Sequence, residues 1–171
     1  MVTPEQTVFL PLLLADAPAL ATLHYSAFGV QAWTEPQVAA SLRQPNVSGL
    51  QLRLDDVLAG FALCQAVAED GEILTYAVHP AFQRRGLGLQ LLVETVATAR
   101  ARRWEKLFLE VAEDNAPALR LYLGYGFKVS GKRPGYYPRQ QGAVAALLLH
   151  YDLPRSSASS TTPSRPRSCS S

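Results

Sequence analysis

A glycine-containing loop joins a strand-like segment to a helical segment in the middle of the chain. The apolar run that ends at Val78 is typical of a strand, and apolar residues recur at helical spacing from about Gly86 onward. Between them lies Gln83–Gly88, in which two glycines leave backbone N–H groups accessible and two arginines add positive charge. Because the N-terminus of a helix favours anions, this loop predicts a phosphate site in an α/β fold. An ordinary solvated loop is the alternative interpretation of so short a motif.

Hydrophobic patterning places the loop within a sheet that helices cover. Before the loop, apolar runs and cap residues predict strands at 8–14, 50–54, 57–67 and 73–78 and helices at 17–28 and 35–42. After the helix that follows the loop, the pattern predicts strands at 107–111, 127–129 and 144–153 and a helix at 116–123. Because a helix connects strand 73–78 to strand 107–111, these two strands are predicted to be parallel neighbours in a largely antiparallel sheet.

Composition indicates one domain followed by a tail. Of 171 residues, 48% are hydrophobic and 18% are charged, which suffices for one buried core. We place the domain at residues 1–154 and interpret the Ser/Pro/Arg-rich residues 155–171 as disordered. Three of the 16 basic residues lie in this tail, which leaves 13 basic against 14 acidic residues in the domain. Because the net charge of the domain is close to zero, we expect no basic face that binds nucleic acid.

The cysteines and histidines follow no metal-binding or disulfide pattern. Cys64 lies in an apolar run and Cys169 in the tail, and the three histidines are scattered. The early apolar run is interrupted by Pro11 and is too short to span a bilayer. These features predict a cytoplasmic protein without a metal, in which Cys64 is an inert buried thiol.

Further motifs follow one another around the glycine loop in a fixed order. They are Val78-His79-Pro80, Leu109-Glu110-Val111, Asn115-Ala116, Leu121-Tyr122, Tyr125-Gly126-Phe127 and Tyr136-Tyr137-Pro138. With Gln83–Gly88, this order resembles the Gcn5-related N-acetyltransferase (GNAT) family over about residues 5–153. Within that family it is most similar to the RimI type, which acetylates the N-terminal alanine of a small-subunit ribosomal protein. The resemblance implies a mixed, mostly antiparallel sheet of six to seven strands, with helices on both faces and a splayed parallel pair that binds acetyl-CoA.

The resemblance also implies which residues hold acetyl-CoA. The diphosphate would lie on the loop amides, a role that suits a helix N-terminus and falls to Arg84, Arg85, Gly86, Leu87, Gly88 and Leu89. The pantetheine arm would pair with the main chain of Tyr76, Ala77 and Val78, where one N–H group can polarise the thioester carbonyl. Asn115 would hold the pantetheine as well as cap a helix, and no metal is required.

Two residues are implied as proton-transfer groups. By the resemblance, Glu110 accepts a proton from the acceptor amine, directly or through water, and Tyr122 protonates the departing thiolate. Tyr122 lies seven residues after Asn115, about two helix turns, so their side chains share one helix face. Neutralising an α-amine at pH 7 costs roughly 1 kcal/mol, against roughly 4.6 kcal/mol for lysine, so a modest base suffices. The alternatives are a surface carboxylate at Glu110 and a merely packed ring at Tyr122.

The resemblance implies that the acceptor is the N-terminal amine of a protein such as a ribosomal protein, with Tyr137 beside the acceptor peptide. Packing within a hairpin is the alternative role of Tyr137. The chain departs from the RimI type at 142–145, where Gly-Ala-Val-Ala replaces the usual acidic residue at the start of the last strand. A lysine side chain or a small-molecule amine therefore stays open as acceptor, as does a non-catalytic acyl-CoA sensor as function. No membrane partner is expected, and the chain is predicted to be a monomer or weak dimer.

Overall fold

The computed structural model describes residues 6–154, which form a seven-stranded sheet with four α-helices. In chain order the elements are β1 (Thr7–Pro11), α1 (Ala17–Phe28), α2 (Glu35–Leu42), β2 (Val47–Leu54), β3 (Val57–Val67), β4 (Asp70–Val78), α3 (Leu87–Ala101), β5 (Lys106–Ala112), α4 (Ala116–Tyr125), β6 (Lys128–Arg139) and β7 (Gly142–Asp152). Residues 1–5 and the tail for which disorder was predicted, 155–171, lie outside this described part. Within residues 6–154, no helix is long and apolar enough to cross a membrane, and no three His, Cys, Asp or Glu side chains are grouped as metal ligands.

The sheet is antiparallel except at one junction. Its strand order is β1-β2-β3-β4-β5-β7-β6, and β4 and β5 form its parallel pair. The mixed sheet and its parallel pair therefore confirm the predicted fold. Parallel pairing covers only Gly71–Ile73 against Leu107–Leu109; beyond it, β4 runs on to Val78 and β5 to Ala112 without pairing to each other.

A β-bulge accounts for the separation of β4 from β5. Leu63 and Cys64 of β3 pair with Thr75 and Ile73 of β4, so Leu74 is an extra residue in the ladder. A bulge bends its strand and increases the local twist. This bulge directly follows Ile73, the last residue of β4 that pairs with β5. The strands therefore separate where β4 bends.

Both faces of the sheet are buried, as alternation along β3 shows. Phe61 and Leu63 pack in a cluster with residues of α1 and α2, whereas Ala62 and Cys64 pack on the opposite face against α3. Burial raises the pKa of the Cys64 thiol to about 12, so the thiol stays protonated and unreactive at neutral pH. Helices therefore cover both faces, as predicted.

Four strand predictions were wrong in their extent. The internal strands β2 and β4 each begin three residues before the predicted start, and the other two strands lie at sheet edges. The strand predicted at 8–14 ends at Pro11, because the chain turns where the Asp16 carboxylate accepts the Leu13 N–H at 2.7 Å. The strand predicted at 127–129 continues to Arg139. Its prolines are tolerated because β6 is the outermost strand and needs no donors on its open side.

Candidate active site

A cleft of about 510 Å³ opens where β4 and β5 separate. Its walls come from the segment between α1 and α2, from β4 and β5, and from α4 and β6. It brings together five of the residues singled out from the sequence: Tyr76, Glu110, Asn115, Tyr122 and Tyr137. Residues from distant parts of the chain thus share one cavity, in which a carboxylate, an amide and phenol rings are combined.

The open edge of β4 supplies main-chain groups beside the cleft. His79 donates its N–H to β3 at 2.8 Å, so strand alternation also turns the Ala77 N–H and C=O toward β3. The corresponding groups of Tyr76 and Val78 then face the open side, where the Val78 carbonyl accepts the Gln83 side-chain amide at 3.0 Å. The Ala77 methyl is buried in the core cluster that β3 and β4 form with α1 and α2. Of the three residues predicted to pair with the pantetheine arm, Tyr76 and Val78 therefore direct their N–H groups toward the open edge of β4, and Ala77 does not.

The glycine loop lies at the N-terminus of α3. Gly86 is the N-cap residue, and its φ of +77° is a left-handed conformation that glycine adopts without strain. Apart from adjacent parts of its own chain, no atom lies within 4 Å of the position that a Cβ would occupy on Gly86, so the space beside this residue is open. The Tyr76 hydroxyl donates to the Gly88 carbonyl and so connects this loop to the cleft.

The other loop residues differ in their side-chain surroundings. Arg84 is exposed and has a positive φ of 58°, and the Arg85 guanidinium lies 5.8 Å from the centre of the Phe82 ring. The Leu87 side chain is buried in the core, so its backbone alone can face a ligand, while Leu89 is half-exposed. Residues 84–89 lie outside the lining of the cleft itself. They form a separate surface at the N-terminus of α3, which the Tyr76 hydrogen bond connects to the cleft.

Tyr122 and Asn115 occupy the cleft face of α4. The Tyr122 ring is buried, with its centre 6.0 Å from that of Tyr76 and 5.7 Å from that of Phe127. This burial raises the pKa of Tyr122, so its hydroxyl is protonated at neutral pH. The Asn115 Oδ1 accepts the Ala118 N–H at 3.3 Å, which confirms the predicted helix cap.

Glu110 lies on β5 just beyond the parallel pairing. Its side chain is only 20% exposed, and a carboxylate oxygen is 3.4 Å from an Arg133 guanidinium nitrogen. Burial raises the pKa of the Tyr137 hydroxyl, and the negative charge of Glu110 adds to the shift. Glu110 is therefore a carboxylate with limited exposure that faces a cation and a phenol.

Ion pairs that the sequence did not reveal hold β6 over the cleft. The Arg139 guanidinium donates two hydrogen bonds of 2.8 Å to the two oxygens of Asp114, and these lower the pKa of that carboxyl. Lys132 lies 2.6 Å from Glu113, whose other oxygen accepts the Ala145 N–H at 3.0 Å. The turn between β5 and α4 is thus fastened to both strands of the terminal hairpin.

The opposite wall of the cleft was also missed from the sequence. Residues 29–34, which we call the α1–α2 segment, contribute Gln31 and Trp33 to this wall, and the end of α1 contributes His24 and Phe28. The Gln31 side-chain amide donates to the Pro138 carbonyl at 3.4 Å and so contacts β6 across the cleft mouth. A tryptophan directly before the predicted Thr34 cap was the available signal.

Comparison with known proteins gives consistent matches. The profile of the Acetyltransferase (GNAT) family matches residues 17–127. The chain is 40% identical over 100 residues to the ribosomal protein bS18-alanine N-acetyltransferase of Salmonella typhimurium, covering 58% of this chain and 68% of the relative. It is 35% identical over 139 residues to the N-alpha-acetyltransferase RimI of Mycobacterium tuberculosis, covering 78% and 85%. The crystal structure of the ribosomal-protein-S18-alanine N-acetyltransferase from Escherichia coli superposes with a TM-score of 0.82 at 29% identity, covering 86% and 94%.

Proposed function

The chain belongs to the GNAT acetyltransferase family, and from this premise we propose that it transfers the acetyl group of acetyl-CoA to the N-terminal amine of a protein. The proposed acceptor is the N-terminal alanine of ribosomal protein bS18, as in the name of the Salmonella relative. One observation carries the proposal: Glu110 and Tyr122 line the same cleft, at the point where β4 leaves β5.

The residues around the cleft fit acetyl-CoA. The open edge of β4 at Tyr76 and Val78 has the geometry to which an extended amide-bearing arm adds like a strand. The uncovered N-terminus of α3 at Gly86 suits a diphosphate. Because the Asn115 Oδ1 is used by its cap, the amide nitrogen would hold the arm. When bound, acetyl-CoA supplies an acetyl group activated as a thioester.

Proton movement is assigned to two side chains. Glu110 accepts the proton that the acceptor ammonium must lose, directly or through one water, and Arg133 orients its carboxylate. Tyr122 keeps its hydroxyl proton until it donates that proton to the departing thiolate sulfur. An N–H on the open edge of β4 polarises the carbonyl oxygen.

The acceptor side of the cleft suits an extended chain end. Aromatic side chains line both of its walls, with Phe28 and Trp33 on one side and Tyr137 on the other. The contact between Gln31 and Pro138 narrows the mouth. Since an α-amine is about 3.6 kcal/mol cheaper to neutralise than a lysine at pH 7, a single partly enclosed carboxylate favours the N-terminal amine.

Mass spectrometry with isotope-labelled acetyl-CoA tests this function. The full chain is offered a peptide that begins with alanine, the same peptide with a blocked N-terminus and an internal lysine, and a polyamine. We expect label on the alanine α-amine, and we expect the Glu110→Gln variant to lose most of it. Glu94→Gln on α3, outside the cleft, is the matched control that keeps it. Label on lysine or polyamine alone, or on none of the three, would contradict the proposal.

A further inference from the structure

His24 is a buried histidine that the proposed chemistry does not use. It is 4% exposed and lines the cleft from α1. Its Nδ1 accepts the N–H of Trp33 at 2.9 Å, and its Nε2 lies 2.7 Å from the Thr75 Oγ1. Because a backbone N–H can only donate, Nδ1 carries no proton, and the neutral ring donates its proton from Nε2 to Thr75. Burial lowers the pKa of His24 to about 4, which is consistent with a neutral ring.

Aromatic packing fixes the orientation of this ring. The imidazole centre lies 4.5 Å from that of Phe28, 5.7 Å from that of Trp33 and 6.0 Å from that of Phe61. These contacts come from α1 itself, from the α1–α2 segment and from β3. The ring is therefore held by neighbours on three elements, and both of its nitrogens point to defined partners.

The two partners of His24 belong to two different walls of the cleft. Trp33 is part of the α1–α2 segment, the wall that faces β6 across the cleft. Thr75 follows the bulge at Leu74 and directly precedes Tyr76, whose main chain faces the open edge of β4. A single side chain thus connects the acceptor-side wall to the strand that would hold the acetyl donor.

We infer that His24 is a positioning residue for the acceptor, because its two hydrogen bonds set the separation between the α1–α2 segment and the open edge of β4. The inference rests on the proposed function, which assigns the acceptor to this side of the cleft. His24 acts through Trp33 and Thr75 and not on the reacting atoms. Losing it therefore weakens acceptor binding and leaves acetyl-CoA binding intact.

Four substitutions separate the two hydrogen bonds from the packing. His24→Phe keeps a ring among its aromatic neighbours and removes both bonds. His24→Asn retains an oxygen near the Nδ1 position that can accept the Trp33 N–H, whereas His24→Gln retains a donor near the Nε2 position. Thr75→Val removes the acceptor hydroxyl with little change of shape. Each variant is compared with the wild type in the full chain.

The expected result is a change in one kinetic constant. In His24→Phe, both hydrogen bonds are lost, so the KM for the alanine peptide rises at least about tenfold, the effect expected for one buried hydrogen bond alone, while kcat and the Kd for acetyl-CoA stay at the wild-type values. His24→Asn recovers most of this KM and His24→Gln does not. Thr75→Val has a smaller effect, since the Trp33 bond remains. An unchanged peptide KM in a folded His24→Phe variant, or an equal loss of acetyl-CoA binding, would overturn the inference.

Amide hydrogen exchange reports the hydrogen bond between His24 and the Trp33 N–H independently of activity. We expect exchange at the Trp33 amide to accelerate at least about tenfold in His24→Phe while the Val38 amide in α2 is unaffected. An unchanged exchange rate at the Trp33 amide would contradict the proposal that His24 holds the α1–α2 segment through this hydrogen bond. If the wild type acetylates lysine peptides only, the proposed acceptor is wrong, and the same KM comparison with the lysine peptide still decides whether His24 positions the acceptor.

Discussion

The two residues proposed for proton transfer differ in their surroundings. Glu110 is partly open to solvent and has a guanidinium nitrogen 3.4 Å away, whereas Tyr122 is enclosed by the rings of Tyr76 and Phe127. Burial keeps the Tyr122 proton in place by raising its pKa. In the proposed mechanism, Glu110 takes a proton beside a cation, and Tyr122 keeps its proton until it gives it to the thiolate.

Replacing Tyr122 by phenylalanine tests whether its hydroxyl donates the proton to the departing thiolate. Phenylalanine keeps the aromatic packing and removes the donor, so we expect kcat to fall about 100-fold while the fold and the Kd for acetyl-CoA are retained. Tyr151→Phe is the matched control, since this tyrosine packs in the same core cluster and its hydroxyl bonds Arg100 outside the cleft. Equal kcat values for the two variants, measured with the alanine peptide, would show that Tyr122 is not the donor.

His24 also predicts how stability depends on pH. Its pKa is about 4 in the folded chain and about 6.5 when unfolded, so between these values the unfolded state binds more protons. Stability is therefore full above about pH 6.5 and falls as the pH decreases toward about 4. The free energies of unfolding from urea titrations at about pH 7 and about pH 5 are expected to differ by about 2 kcal/mol because of His24. His24→Phe removes that part of the difference, and an unaltered pH dependence in the variant would contradict the assignment.

At the scale of elements, the start of β4 depends on a close approach between Gly71 and Trp104. A Cβ on Gly71 would lie 2.0 Å from a Trp104 ring carbon, and Gly71 pairs with Leu107 in the short parallel ladder. Gly71→Ala therefore forces the indole out of its pocket, and we expect the free energy of unfolding to fall by about 2 kcal/mol in urea titrations.

A second glycine provides the control for this substitution. Gly124 lies inside α4, and apart from adjacent parts of its own helix no atom is within 4 Å of the position that a Cβ would occupy there. Alanine there removes backbone freedom from the unfolded chain without overlap, so Gly124→Ala is expected to raise stability by about 0.5–1 kcal/mol. Equal effects of the two substitutions would contradict the role of the Gly71–Trp104 approach.

Local patterns predicted most elements, because periodicity and caps are written in neighbouring residues. The Thr34–Gln37 cap, the Asn115 cap and the crossover that makes β4 and β5 parallel all follow from such patterns. The edge strands were less predictable. Gly131, Pro134, Gly135 and Pro138 indicate turns, yet β6 accommodates them at the sheet edge with shifts of register.

The cleft was predictable only through its motifs. Glu110, Asn115 and Tyr122 belong to recurring sequence patterns, whereas the bulge at Leu74 arises from the pairing of β4 with β3 and has no local signal. The same holds for Arg133 and His24, whose partners are distant in sequence. Long-range pairing of single side chains leaves no periodicity to detect.

At the scale of the whole molecule, the cleft divides the sheet into two halves. Strands β1–β4 form one half and β5, β7 and β6 the other, joined in the sheet by the short ladder at Gly71–Ile73. Helix α3 contributes to the cores of both halves, with Leu91 packed against β2 and β3 and Val96 in the cluster that includes β5. A ligand that inserts along the open edge of β4 adds contacts where the sheet itself has none, so its binding is expected to stabilise the entire fold.

Thermal unfolding measures this coupling. At about 100 times its Kd, a ligand that binds only the folded state adds about 2.7 kcal/mol, which for a domain of this size raises Tm by about 5–10 °C. We expect acetyl-CoA to produce such a shift in the full chain. Acetyl-pantetheine, which lacks the diphosphate, is expected to give a smaller one, because it leaves the N-terminus of α3 unused. No shift with acetyl-CoA at millimolar concentration would contradict the proposed cofactor.

The Gly86→Ala variant tests whether the diphosphate of acetyl-CoA binds at the N-terminus of α3. Alanine at a φ of +77° costs about 1 kcal/mol and lowers the Tm of the free protein, while its methyl group projects into the open space at the N-terminus of α3. The additional stabilisation by acetyl-CoA is therefore expected to shrink toward that of acetyl-pantetheine, whose own shift stays unchanged. If both ligands lose stabilisation equally, the loop supports the fold of the cleft and the diphosphate lies elsewhere.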